Sequence, residues 1–240
     1  MSVPVPTPAL AGAVVLVTGA NGGIGSAFVA EALARGAVKV YATARTPRTW
    51  DDERIVPLAL DILDPASVAA AVAAAPDVTV LINNAGMLPP TASFLELSAD
   101  DLRATMETNF VAPVLLATAF APVLTSHPMS VLVDMHSVAS WYAFGGVYSA
   151  SKAALWSATN SLRLELAPKG THVVGVHVGY VDTAMAAGVE GPKLSPADLV
   201  RQVFDTVEAG GYEVIADEFT ASVRAALAAP VEALYPELRA

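Results

Sequence analysis

Seven short runs rich in Val, Ile and Leu recur along this chain, most of them separated by longer stretches of helical character. That alternation restricts the fold more than any other feature. The runs begin at Ala13 (AVVLVT), Val38 (VKVYAT), Ile55 (IVPLAL), Val78 (VTVLIN), Ser130 (SVLVDM), His172 (HVVGVHV) and Tyr212 (YEVIA). Most lack strict apolar–polar alternation, as strands do when both faces are covered. Helices are predicted over 23–35, 65–75, 98–125 with a break near Asn109, 148–167 and 196–209, and one or two short ones in the tail after Tyr212. Pro168 and Gly170 close the helix that starts at 148. Strands and helices in this order build a parallel sheet with right-handed crossovers and helices on both faces. The expected fold class is therefore α/β, a doubly wound seven-stranded parallel sheet. With 240 residues, no internal repeat and no linker, it should form one domain over 1–240.

Composition removes several functions. Acidic residues outnumber basic ones 23 to 13, a formal charge of −10, which disfavours nucleic acid or an anionic membrane surface as partner. There is no cysteine, so disulfides, thiol catalysis and thiolate metal sites are excluded. His127, His172 and His177 are too scattered to suggest a metal centre, and none is expected. The apolar stretch MSVPVPTPALAGAVVLVTGA lacks a positive n-region, so no signal peptide is expected and a cytoplasmic location is. Residues 110–133 carry no charge and are numerous enough to span a bilayer. Pro113, Pro122 and the run Thr125, Ser126, His127, Pro128 interrupt them, and a buried helix followed by a buried strand is the expectation.

VVLVTGANGGIGSAFVAEALARG reads as a strand, a glycine-rich turn and a helix. Gly19, Gly23 and Gly25 suit a turn whose backbone passes close to a ligand. Free N–H groups and the helix dipole at such a helix start favour a pyrophosphate. The spacing is G-x-x-x-G-x-G rather than the more familiar G-x-G-x-x-G, and a glycine cluster alone is equally a tight strand–helix turn; its position straight after the first strand favours the dinucleotide. Where an acidic residue would hold the ribose hydroxyls of NAD, the second strand ends in Ala44 and Arg45, with Arg48 close by. A solvated loop arginine would look the same, but no acid stands there to repel a phosphate, so NADP is expected rather than NAD.

Tyr148 and Lys152 stand four apart on one predicted helix and share a face. A free phenol titrates near ~10, and a neighbouring ammonium should lower that value toward the neutral range. Such a phenol could pass a proton to a carbonyl oxygen, or take one from an alcohol, as hydride moves at the adjacent carbon. The pair alone is equally compatible with a solvated helix edge.

It does not stand alone. TGANGGIG at Thr18, NNAG at Asn83, Asn109 within METNF, Ser137 and YSASK at Tyr148 follow one another in an order that resembles the short-chain dehydrogenase/reductase family, from Val14 to about Asp217. The resemblance implies a Rossmann fold, oxidoreductase activity, and roles residue by residue. Tyr148 would be the general acid/base, Lys152 the cation that tunes it and binds the nicotinamide ribose, Ser137 the donor to the substrate oxygen, and Asn109 the helix-kinking holder of a relay water. The cofactor would be touched by Gly19, Asn21, Gly23, Ile24, Gly25, Arg45, Asp61, Ile62, Asn84, Ala85, Gly86, Val181 and Thr183, besides Tyr148 and Lys152. The family's substrate loops fall on Met87, Leu88 and Pro89, on Trp141, Tyr142 and Phe144, and on Ala184 and Met185. With Ser137, the residues Met87, Trp141, Tyr142 and Met185 are expected at the substrate.

Those loops are apolar and aromatic and hold no arginine or lysine to clamp a carboxylate or phosphate. The implied activity is an NADP-dependent carbonyl reductase or alcohol dehydrogenase acting on a hydrophobic ketone, aldehyde or secondary alcohol; the alternative is a non-catalytic NADP-binding sensor or scaffold. Family members commonly pair the helices matching 98–125 and 148–167, so a homodimer or homotetramer is expected. Three departures stand out. The interval from Ser137 to Tyr148 is a residue or two short. Val178–Gly179 replaces the usual Pro-Gly, and a freer turn is expected there. TPRTWDDER is short for a helix and should leave the second crossover as a loop.

Overall fold

The computed structural model describes residues 8–239. The start of the segment read as lacking a signal peptide, residues 1–7, lies outside the described residues. Seven parallel strands form one sheet in the order β3-β2-β1-β4-β5-β6-β7. They are β1 (Val14–Thr18), β2 (Lys39–Ala44), β3 (Ile55–Ala59), β4 (Val80–Asn83), β5 (Ser130–Met135), β6 (Thr171–His177) and β7 (Glu213–Ile215). All seven coincide with the seven runs read from the sequence, and the doubly wound α/β sheet is confirmed.

Helices α1 (Gly23–Ala34) and α6 (Pro196–Glu208) cover one face, where Phe28 meets Phe204 edge-on at 5.5 Å between ring centroids. Helices α2 (Pro65–Ala74), α4 (Ala112–Leu124) and α5 (Val147–Leu166) cover the other. Short α7 (Glu218–Ala226) and α8 (Val231–Leu234) close the tail. Burial on both faces accounts for the unbroken apolar runs: every residue of β1, β4 and β5 is buried. The winding reverses between β1 and β4, and the C-terminal ends of those strands open the crevice where ligands bind in such sheets.

The break expected near Asn109 is a π-type turn, Glu107–Val111, between α3 (Ala99–Met106) and α4. Pro113 has no N–H to return to the Asn109 carbonyl four residues earlier, and the chain widens there. Residues 99–124 are long and apolar enough to span a membrane, but Leu116, Phe120 and Leu124 lie fully buried against the sheet. The chain then enters β5, so the uncharged stretch is core helix and core strand. Between β2 and β3 there is no helix, as expected. The Arg48 guanidinium stacks on Trp50 at 3.7 Å there, and Asn21 ties that loop to the glycine turn through the Thr46 carbonyl and the Arg48 N–H.

Candidate active site

The glycine turn comes first in the chain and forms one end of the site. Gly19 and Gly23 adopt φ of +67° and +53°, a region that side chains disfavour. Gly25 has ordinary backbone angles but no room: a Cβ there would lie 2.1 Å from the Gly19 carbonyl oxygen. It therefore packs beneath the turn rather than lining the cleft. Gly25→Ala should displace the turn; we expect a loss of dinucleotide binding of about 10-fold or more, with a lower melting temperature, read by NADPH fluorescence titration and thermal unfolding. Gly22 precedes α1 without any side-chain cap, leaving the first N–H groups of a 12-residue helix directed at the cleft.

Thr18 links this turn to the next loop. Its hydroxyl donates to the Ile82 carbonyl at 3.2 Å and accepts from the N–H groups of Asn84 and Ala85 at 2.8 and 3.0 Å. Asn84 returns the contact through its amide to the Thr18 carbonyl at 2.8 Å. Thr18 precedes the glycines of TGANGGIG, and it braces the two loops only because β1 and β4 pair side by side. Farther along, Asn109 grips Met87 from both sides, accepting its N–H and donating to its carbonyl, each at 2.9 Å, and donates to Ser151 at 3.2 Å. Asn109 thus holds the 84–88 loop and does not itself line the cleft.

The cleft that results measures about 1370 Å³ and runs along the C-terminal edge of the sheet. Gly19, Asn21, Gly23, Ile24, Arg45, Asp61, Ile62, Asn84, Ala85, Gly86, Met87, Ser137, Tyr148, Lys152, Val181, Thr183 and Met185 all line it. Asp61 accepts the Leu63 N–H, and Asp64 is the N-cap of α2, which leaves Asp61 at the cleft wall. Phe144 and Tyr180 meet edge-on at 6.3 Å across the substrate end; Tyr180 was not singled out from the sequence.

Trp141 and Tyr142 are corrections. Trp141 is buried against Val138 and Val223, stacked on His177 at 3.8 Å and under the Arg224 guanidinium. Tyr142 stacks on Tyr235 at 5.2 Å. Neither lines the cleft, because the loop after β5 turns their rings toward α7 and the tail.

Around the reacting end, Lys152 is buried and donates to the Met135 carbonyl at 2.7 Å, with its ammonium 5.8 Å from the centre of the Tyr148 ring. Burial lowers its pKa to about 8, against an opposing pull from Asp134. Asp134 is itself buried, accepting from Asn83 at 2.8 Å and Thr159 at 2.7 Å, and burial raises its carboxyl. The lowered phenol expected at Tyr148 is not found. Burial raises it above its ordinary value, and the nearby Ser137 hydroxyl opposes that rise without reversing it. Next to Ser137, Val178–Gly179 is not left free as expected: the Val178 carbonyl accepts the Val138 N–H, and the Gly179 N–H donates to Asp217 at 2.7 Å. His136 is buried and stacked on His177 at 4.8 Å, with both pKa values lowered by burial.

A profile described as short chain dehydrogenase matches residues 13–193. The chain belongs to the short-chain dehydrogenase family. A short-chain dehydrogenase from Burkholderia cenocepacia J2315, solved in complex with NADP, is 35% identical with a TM-score of 0.89, covering 96% of this chain and 99% of that one. An NADPH-bound carbonyl reductase from chicken fatty liver is 28% identical with a TM-score of 0.76, covering 82% of this chain and 91% of that one. The NADP-dependent 3-hydroxy acid dehydrogenase of Schizosaccharomyces pombe is 30% identical over 190 residues, 72% of this chain and 73% of the relative. Aligned stretches span 60% and 66% of the length of two further curated relatives of this short-chain dehydrogenase.

Proposed function

We propose that this short-chain dehydrogenase is an NADP-dependent carbonyl reductase or alcohol dehydrogenase acting on hydrophobic ketones, aldehydes or the matching secondary alcohols. The observation that carries the reading is the meeting of Ser137, Tyr148 and Lys152 in the same cleft as the uncapped start of α1 and its positive-φ glycines. That glycine cradle, which Cβ atoms would fill, fits a pyrophosphate. NADPH, when bound, supplies the hydride. Tyr148 then gives its phenolic proton to the carbonyl oxygen, and Ser137 donates a hydrogen bond to the same oxygen. Lys152 places a positive charge where the phenolate develops. In the oxidative direction Tyr148 takes the alcohol proton instead.

Among the described residues the substrate end holds no ammonium or guanidinium apart from Lys152; Met87, Leu88, Phe144, Tyr180 and Met185 dominate it. This supports an uncharged, apolar substrate over a hydroxy acid or a phosphate ester. The preference for NADP rests on Arg45 and Thr46 at the end of β2, at the opposite end of the cleft, and agrees with the NADP-bound relatives. A panel of aryl ketones with NADPH and NADH tests both parts; failure to oxidise either cofactor with any ketone would remove the enzymatic reading. Arg45→Ala should raise KM for NADPH by about 10-fold or more and leave NADH unchanged, since one charge-assisted hydrogen bond is lost only with the phosphorylated cofactor. Equal effects on the two cofactors would place the phosphate elsewhere. We retain a homodimer or homotetramer in this proposal, supported by Leu115 of α4 and Leu164 of α5, which are 55% and 79% exposed.

A further inference from the structure

The loop from Val138 to Gly146 carries Phe144 and Gly145 into the cleft wall, and it is held from two sides. On the inner side Ser149 of α5 accepts the Gly145 N–H at 3.0 Å and donates to the Tyr142 carbonyl at 3.1 Å. The end of the loop is fixed by Gly146, at φ +54°, where a Cβ would lie 2.2 Å from the Ala92 carbonyl oxygen. On the outer side stands a residue 92 positions away in sequence. The Ala143 N–H donates to the Tyr235 hydroxyl at 2.9 Å, and the Tyr142 and Tyr235 rings stack nearly parallel at 12°. Phe219 of α7 closes the same group edge-on at 5.9 Å, and Leu234 packs onto the Val138–Trp141–Val223 cluster, which seats the tail.

Phe144 lies directly after the bonded Ala143, and its ring faces Tyr180 across the mouth of the substrate end. We infer that Tyr235 is a specificity-determining residue: it clamps the outer side of the 138–146 loop and thereby sets how far Phe144 stands from Tyr180. It touches neither the cofactor half of the cleft nor the reacting residues, so it acts through the loop as a positioning residue. The inference rests on the carbonyl reductase reading for its kinetic expression only; the clamp itself is independent of it.

Two variants separate the contacts. Tyr235→Phe keeps the stack and removes the acceptor, whereas Tyr235→Ala removes both. The kinetic readout is the ratio of kcat/KM for a methyl aryl ketone to that for a diaryl ketone with NADPH. That ratio is independent of the concentration of folded enzyme, so a merely destabilised variant leaves it unchanged. Tyr235→Ala should shift the ratio toward the diaryl ketone by about 5-fold, within the range of one aromatic stack plus one hydrogen bond, with Tyr235→Phe intermediate. NADPH affinity, measured by fluorescence, should hold. A ratio unchanged in Tyr235→Ala overturns the specificity role. If the wild type reduces neither ketone, the carbonyl reductase reading fails by itself, and backbone hydrogen exchange decides the clamp. Faster exchange at Ala143 in Tyr235→Phe supports it, and unchanged exchange overturns it.

Discussion

Tyr148→Phe should lower kcat for carbonyl reduction by about 10³-fold or more while NADPH binding stays near wild type, in keeping with the loss of a positioned general acid. Phenylalanine retains the ring and its packing on α5 and removes only the hydroxyl, so the fold and the glycine cradle are left intact. The structure adds a pH signature. Burial raises the Tyr148 phenol above its ordinary value, so the group stays protonated throughout the neutral range. Reduction, which needs the proton, should be flat across neutral pH and fall only when alkali ionises the phenol. Oxidation, which needs the phenolate, should climb with pH over the same range. A phenol lowered by Lys152, as the sequence alone suggests, would give reduction already declining near neutrality. Initial rates in both directions from mildly acidic to alkaline pH distinguish the two. A Tyr148→Phe variant retaining more than about a tenth of wild-type kcat would remove Tyr148 from the proton transfer altogether.

That pH profile marks where residue order stops being informative. The strands were legible because a sheet covered on both faces needs apolar runs, and β1, β4 and β5 are buried throughout. A break near Asn109 was legible in the long helix pattern over 98–125; its π-type geometry, with Pro113 one turn on, was not. Most of the cleft lining followed from motifs lying at the C-terminal ends of strands. What the sequence could not supply is direction and depth. Trp141 and Tyr142 sit in the expected loop but turn toward His177 and Tyr235, a choice made by partners 36 and 93 residues away. Tyr148 and Lys152 share a helix face, yet the ammonium is directed to the Met135 carbonyl, and burial of both groups decides the sign at the phenol. Spacing reports which residues can meet; the surrounding dielectric decides what the meeting does to their protons.

Lys152→Met should give a protein that is more stable and close to inactive. The Lys152 pKa falls from 10.5 to about 8 on folding because its ammonium is buried. Between those values the unfolded chain holds the proton and the folded one does not, so stability rises as pH increases from about 8 toward 10.5. Below about 8 both states are charged and the full penalty applies, a difference worth roughly 3 kcal/mol at 1.36 kcal/mol per pKa unit. Methionine carries no charge to bury and nearly matches the aliphatic stem. The variant loses the bond to the Met135 carbonyl, about 1 kcal/mol, whereas Asp134 keeps Asn83 and Thr159 as partners. The net gain at neutral pH should be on the order of 1–2 kcal/mol, a rise of about 2–8 °C in Tm for a chain of this length. Activity should fall about 10²-fold or more, as expected where a destabilised group serves catalysis. Denaturant unfolding of both proteins at neutral pH and above pH ~10 reads the effect, since titrations of groups not coupled to Lys152 cancel in the difference; Asp134, His136 and His177 feel the Lys152 charge, and their pKa values shift with it. The stability gap should shrink as pH rises through that window and reverse above it, because the penalty removed, roughly 3 kcal/mol, exceeds the gain at neutral pH. A variant less stable than wild type at neutral pH, or a gap that does not change with pH, would show that Lys152 is not held against a desolvation cost.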